Sequence, residues 1–291
     1  MPRSREEHAE KAWAGVMMAP AVLVLGAVAL YPTLASIWLS FQRLILVFHE
    51  QRFVGFDNYA FLLRDPRFWG ALAHTAYFTL LSVIAELVLG LAVALLLQAR
   101  PPARGLLRAA ILVPWAVPTV VSARMWALFF NQEQGRLWGV LPWPDIAWLG
   151  TPGYAMHAAI LVDVWKTTPF VALLLLAGLV GIPPALYDAA ALDGASRVRT
   201  FVGITLPLLR PILAVTALLR TLDAFRVFDV VYVLTEGGPA NTTETLSIYA
   251  YKTMMRAGDF GYGSALSVMT FLCVLVLGAG YFAWMRREEG R

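Results

Sequence analysis

Apolar residues gather in six long blocks, and the short stretches between them carry most of the charge. The blocks fall at about 14–41, 71–97, 106–130, 156–181, 208–234 and 262–285, each long enough for a helix to cross a hydrocarbon layer that needs roughly 20 residues. The expected fold is all-α: a polytopic membrane protein with six transmembrane helices. The chain then divides into a leading segment 1–13, a membrane domain 14–285 and a tail 286–291. Pro20, Pro32, Pro114 and Pro118 interrupt their blocks as kinks, which a membrane helix tolerates. The stretches 42–70, 131–153 and 235–261 read as polar loops, and the tryptophans of 131–153 suit a membrane interface.

Composition agrees with lipid as the solvent. The chain is 59% hydrophobic and 14% charged, whereas a soluble domain is about half apolar and about a quarter charged. Ala27-Val28-Ala29 has the look of a signal-peptide cleavage site, but the block runs on to Phe41 and the leading segment holds Glu6, Glu7 and Glu10. Cys273 is a single cysteine and makes no intrachain disulfide. The net charge of +4 is spread along the chain and forms no nucleic-acid face. Arg100, Arg104 and Arg108 crowd one short loop, and Arg197 and Arg199 another, on the side of both termini. Arg43, Arg52, Arg64 and Arg67 lie in a longer loop opposite. The positive-inside rule therefore makes both termini cytoplasmic.

Eight charged residues lie inside the blocks away from their ends: Glu86, Arg124, Asp163, Lys166, Arg220, Asp223, Arg226 and Asp229. Charges at that depth are costly and face a bundle interior or a wet cavity. Asp163 and Lys166, three apart, share a helix face and can pair. Arg220, Asp223, Arg226 and Asp229 repeat that spacing with alternating sign, as a ladder. Such pairs serve either to hold helices in register or to line a path. Depth favours the path: Lys166 lies roughly 15 Å into its block, and Arg220 about as deep.

The segment 182–207 carries charge yet looks helical. Pro183 and Pro184 end the preceding block and open a new helix, 186–192 is rich in alanine, and Gly194 supplies a left-handed stop. This is either a solvated loop helix or a docking element. Asp188-Ala189-Ala190, then Asp193-Gly194-Ala195, then Phe201, Ile204, Leu206 and Pro207, resemble the EAA motif of binding-protein-dependent ABC importer permeases. Asp188 stands where that family usually has glutamate, one methylene longer. The resemblance implies the type I ABC importer permease fold. It also implies that Tyr187, Asp188, Ala189, Ala190, Asp193, Gly194 and Ala195 couple the chain to an ATPase.

Further segments are similar to the sugar branch of that family. Residues 53–69, FVGFDNYAFLLRDPRFW, resemble an external loop of sugar-importer permeases. Leu112-Val113-Pro114-Trp115-Ala116-Val117-Pro118 sets Trp115 at an aromatic sugar-facing position. Trp165-Lys166-Thr167-Thr168-Pro169-Phe170 sets Lys166, Thr167 and Phe170 on the same side. Spacing from the TLP to the GGP tripeptide sets Arg220, Ala224 and Val227 at positions of polar sugar contacts. Ala224 and Val227 are apolar here, so Asp223 and Arg226 are expected to substitute. An aromatic platform with charged donors suits a ring edged with hydroxyls. WKTTPF and RTLDAFRVFD look most like the first permease of trehalose-type and trehalose/maltose-type importers.

The resemblance implies an assembly in the bacterial or archaeal cytoplasmic membrane. It would hold this chain, a second similar permease, two ATPase subunits and an extracytoplasmic sugar-binding protein. ATP and Mg are expected on the ATPase, because this chain has no G-x-x-x-x-G-K-[ST] loop. Nor does it show metal-ligand spacing among its histidines or a nucleophile setting, so no enzyme activity is expected. The implied cargo is a disaccharide such as trehalose or maltose. Lys166, Arg220 and Arg226 keep an anion such as glycerol 3-phosphate open, and the intramembrane charges keep a secondary transporter open.

Overall fold

The computed structural model describes residues 13, 16–99, 104–131 and 146–289. Most of the leading segment 1–13, Arg100, Trp138 and Trp143 of the tryptophan-rich loop, and the end of the tail lie outside the described residues. The chain forms two compact units, residues 1–64 with 250–269, and residues 65–249 with 270–291.

In the first unit, α1 (Val16–Ser40) is mainly apolar and exposes most of its side chains, as a lipid-facing helix does, with Ser40 buried at its end. The stretch expected as a polar loop is instead built: β1 (Gln42–Ile45) pairs antiparallel with β2 (Glu50–Phe53), and α2 (Asp57–Arg64) follows. Glu50 bonds Arg43 across the hairpin and Arg52 on its own strand. Asn58 Nδ2 donates to the carbonyls of Ser40 and Gln42, both at 2.8 Å, fastening α2 to the end of α1. Residues 258–261 close on the hairpin through Leu46 N to Gly258 O at 2.9 Å. Gly261 needs its missing side chain there, since a Cβ would overlap the Gln42 carbonyl.

The second unit holds α3 (Pro66–Gln98), opened by Asp65, whose side chain accepts from Arg67 N, with Pro66 at the first position. Then come α4 (Arg104–Ala116) and α5 (Thr119–Phe130), with 93° between them. Pro118 supplies the break, because it has no N–H to donate and keeps Val117 from helical geometry. α6 (Tyr154–Val180), α7 (Pro184–Leu192), α8 (Arg197–Ala224), α9 (Asp229–Thr235) and α10 (Leu246–Tyr251) follow. α11 (Phe260–Glu289) runs through both units. Among the described residues five helices, α1 included, are long and apolar enough to cross a bilayer, and with α4–α5 taken as one broken span there are six.

One boundary is corrected. The fifth block, expected at 208–234, forms a helix that starts at Arg197 and ends at Ala224, with a separate α9 after it. Ser196 caps the early start by accepting from Arg199 N at 3.3 Å. At the late break the Val227 carbonyl accepts from Thr245 Oγ1, and Asp229 places its charge at the N-terminus of α9, where the helix dipole favours it.

Two apolar clusters position the site. One gathers Phe78 and Val83 of α3, Ala158, Ala159, Ile160, Val162 and Val164 of α6 and Val230, Val231 and Leu234 of α9. The other gathers Ala94 and Leu97 of α3 with Val171, Leu175 and Leu179 of α6 and Leu209 of α8. Between the clusters lie the charged residues.

Candidate functional site

The site begins at the broken helix. Pro118 frees the Val117 carbonyl from its helical partner, and Lys166 Nζ on α6 donates to that oxygen at 2.6 Å. Lysine thus supplies the cap that the break requires within the apolar block. The Asp163–Lys166 ion pair that the spacing allows is not formed. Asp163 instead lies 3.5 Å from Arg220 Nη2, because the broken helix claims the ammonium.

Arg220, on α8 and almost wholly buried, is the centre of the polar network. Its Nε donates to Glu86 Oε2 at 2.6 Å and its Nη2 to Glu86 Oε1 at 3.1 Å, a fork-to-fork pair between α8 and α3. Its Nη1 donates to Asp223 Oδ2. The Thr167 hydroxyl lies 2.7 Å from Glu86 Oε1 and 2.6 Å from the Asp163 carbonyl. Three helices, α3, α6 and α8, are therefore joined through one guanidinium.

The alternating ladder is also corrected. Only Arg220 and Asp223 bond as i and i+3. α8 ends at Ala224, so Arg226 falls in the turn, where it is exposed and its Nε donates to the Leu222 carbonyl at 3.0 Å. Asp229 opens the next helix. A spacing of three places residues on one face only while the helix continues.

All nine residues singled out for a path line one cavity of about 660 Å³: Trp115, Lys166, Thr167, Phe170, Arg220, Asp223, Ala224, Arg226 and Val227. Asp163 and Asp229 line it too. Trp115 and Phe170 stack on one wall, their ring centroids 5.9 Å apart and planes 17° apart. Ala224 and Val227 are buried apolar wall, whereas the Asp223 side chain is 65% exposed. The cavity offers an aromatic face beside hydrogen-bonding edges.

The second set lies on α7 and its turn. Gly194 takes φ +70°, with its N–H bonded to the Ala191 carbonyl at 3.1 Å and Ala195 N to Ala190 O at 2.9 Å. This is a Schellman stop, and it explains why glycine follows the alanines at this distance. Tyr187 Oη lies 3.2 Å from Thr205 Oγ1, fixing α7 to the start of α8. Ala190 is buried; Asp188, Ala189, Asp193 and Gly194 are exposed, and Leu192 is 90% exposed at the helix end.

The protein family described as "Binding-protein-dependent transport system inner membrane component" matches residues 86–289. The chain belongs to this permease family. Three related permeases define its neighbourhood. The trehalose/maltose transport system permease protein MalF of Thermococcus litoralis is 45% identical over 275 residues, 94% of this chain and 93% of that protein. The trehalose transport system permease protein SugA of Mycobacterium tuberculosis is 41% identical, over 94% of this chain and 89% of its own. The sulfoquinovosyl glycerol transport system permease protein SmoG of Agrobacterium fabrum is 37% identical, over 94% and 90%. The fold matches a chain in the crystal structure of a bacterial ABC transporter involved in the import of the acidic polysaccharide alginate. That match has a TM-score of 0.85 at 22% identity, over 98% of this chain and 99% of that one.

Within this permease, Glu86 is marked by the sequence only as an intramembrane charge and is not among the residues set on the path. It is fully buried and is absent from the cavity wall, yet it organises two residues that line it. The signal available was its charge in the middle of an apolar block, since a buried carboxylate requires a partner.

Proposed function

We propose that this permease forms half of the translocation path of an ATP-driven importer for a neutral disaccharide of the trehalose and maltose class. The observation that carries the reading is a cavity in which a stacked Trp115–Phe170 pair is joined by the hydrogen-bonding edge of Lys166, Thr167 and Asp223. An apolar sugar face suits the rings, and hydroxyls suit the polar edge. The names of the two most similar permeases described above support the same class.

In this reading the chain pairs with a second, similar permease, both termini face the cytoplasm, and the assembly lies in a bacterial or archaeal inner membrane. Two ATPase subunits hold ATP and Mg, and the exposed face of α7 docks on one of them. Closure of the ATPases moves α7, and Tyr187 passes the movement to α8 through Thr205. Arg220 then carries it to α3 and α6. The cavity receives sugar from an extracytoplasmic binding protein and releases it inward. This chain performs gating and passage, and the hydrolytic chemistry belongs to its partners.

An anionic cargo is the second reading, favoured by Lys166 and Arg226 in the wall and by the sulfoquinovosyl glycerol permease among the relatives. Against it, Arg220 is occupied by carboxylates and Lys166 by the Val117 carbonyl, while Asp223 and Asp229 remain exposed. The test is ATPase activity of the reconstituted assembly with its binding protein, against trehalose, maltose, sucrose and glycerol 3-phosphate. Stimulation by trehalose or maltose supports the proposal. Stimulation by the phosphate alone replaces it with the anionic reading. If no ATPase co-purifies with the chain, the docking role of α7 is lost.

A further inference from the structure

The wall of the cavity contains an arginine whose donors are committed to carboxylates. A guanidinium has five N–H groups, and the contacts of Arg220 direct four of them at carboxylates: two at Glu86, one at Asp163 and one at Asp223. Glu86 takes the fork, and it does so from a fully buried position on α3. The side of Asp223 that does not meet Arg220 remains exposed to the cavity. The surface presented to cargo at this point is therefore an acceptor, held by an arginine that is itself held from behind.

We propose that Glu86 is a positioning residue that sets cargo selectivity: by holding Arg220 back, it keeps the cavity selective for neutral sugars and closed to anionic ones. The inference rests on the disaccharide reading and deepens it. With Glu86 as a carboxylate, the donors of Arg220 are committed and Asp223 accepts from sugar hydroxyls. A phosphorylated or sulfonated sugar meets that carboxylate and finds the donors of Arg220 taken. Without the Glu86 charge, the fork opens, and Arg220 gains donors that match an oxyanion bidentately. Selectivity of this kind is a difference between two affinities, set by what repels the wrong cargo as much as by what attracts the right one.

The same contacts define why the residue must be glutamate. The two oxygens of Glu86 accept from Nε and Nη2 of one guanidinium while Oε1 also lies within bonding distance of Thr167. Glu86→Gln keeps the size and replaces one acceptor by a donor that faces the guanidinium. Glu86→Asp keeps the charge and withdraws it by one methylene.

The experiment measures equilibrium binding of trehalose and of trehalose 6-phosphate, with maltose as a second neutral sugar, to the purified permease–ATPase assembly, without the binding protein, so that selectivity belongs to the membrane subunits. The wild-type assembly is expected to prefer trehalose. In Glu86→Gln the ratio of the two affinities is expected to move toward the phosphate by roughly tenfold or more, in proportion to a recovered bidentate charge pair. The double variant Glu86→Gln with Arg220→Gln is expected to lose that gain, because the arginine that causes it is gone. Glu86→Asp is expected to show a smaller shift in the same direction. An unchanged ratio in an assembled Glu86→Gln overturns the proposal. If that variant does not assemble, an unchanged ratio in Glu86→Asp overturns it. A wild-type assembly that binds neither trehalose nor maltose defeats the disaccharide reading itself, which is a different result from an unmoved ratio.

Discussion

Gly90 on α3 approaches Val171 on α6 so closely that a Cβ at position 90 would lie 2.5 Å from Val171 Cγ1 and 3.2 Å from the backbone nitrogen of Ala172. These two helices carry Glu86 and Lys166, so their separation sets the geometry of the site. Gly90→Ala inserts one methyl where neither helix has room. Overpacking of this kind costs about 1–3 kcal/mol. The expected outcome is a lower unfolding temperature of the detergent-purified assembly and weaker sugar-stimulated ATPase activity. An unchanged melting profile would show that α3 and α6 separate without resistance.

Trp115 and Phe170 come from α4 and α6, on the two sides of a contact made possible by the break at Pro118. Their stack leaves Trp115 about half exposed to the cavity. An aromatic contact contributes roughly 0.5–1.5 kcal/mol beyond buried area. Trp115→Ala is therefore expected to raise the apparent KM for disaccharide uptake roughly two- to tenfold while the assembly still forms. Trp115→Phe is expected to recover most of the loss. Uptake kinetics in proteoliposomes at saturating binding protein distinguish these outcomes, and wild-type KM in the alanine variant would remove Trp115 from the path.

Much of this arrangement is legible in the chain because proline and glycine mark it. Pro114 and Pro118 locate Trp115 at a helix break, and Pro169 fixes the segment that carries Lys166, Thr167 and Phe170. Gly194 announces the end of α7. What local pattern does not encode is which charge meets which. The spacing of Asp163 and Lys166 suggests a pair, but a carbonyl 49 residues away takes the lysine. The spacing of Arg220, Asp223, Arg226 and Asp229 suggests a ladder, but it needs a helix that ends at Ala224. Glu86 and Arg220 are 134 residues apart and have no shared motif. Partner choice inside a membrane depends on tertiary packing, which helical periodicity does not report. The hairpin at 42–53 is hidden for a related reason: its strands are four residues each, too short to show alternation.

The Arg67–Glu244 pair gives an asymmetric expectation. Arg67 Nε and Nη2 reach Glu244 at 2.7 and 2.9 Å, and the guanidinium also lies 4.4 Å from the centre of the Tyr249 ring. The Glu244 side chain is only 2% exposed, while that of Arg67 is 44% exposed. Removing the buried partner leaves a cation that water already reaches; removing the cation takes two bonds from a carboxylate that water does not reach. Arg67→Ala is expected to destabilise the assembly more than Glu244→Gln does. Thermal unfolding of both variants checks the order, and the reverse order would mean that Glu244 is held mainly by its other neighbours.

Gly194 separates a conformational requirement from a steric one. Its φ of +70° is left-handed, yet a Cβ there would meet nothing within 4 Å. Substitution therefore strains the backbone without creating a clash. An L-residue in this region costs about 1–2 kcal/mol, with asparagine more tolerant than most and a β-branched residue less. Gly194→Asn is expected to retain coupling between hydrolysis and transport. Gly194→Val is expected to loosen the bonds from Gly194 to Ala191 and from Ala195 to Ala190 that end α7. If α7 transmits ATPase closure, the valine variant will hydrolyse ATP while carrying fewer sugars per ATP, and the asparagine variant will not. Measuring sugar uptake and phosphate release in the same proteoliposomes gives that ratio directly. Equal ratios in wild type and Gly194→Val would mean that the shape of this turn is not what joins α7 to its partner.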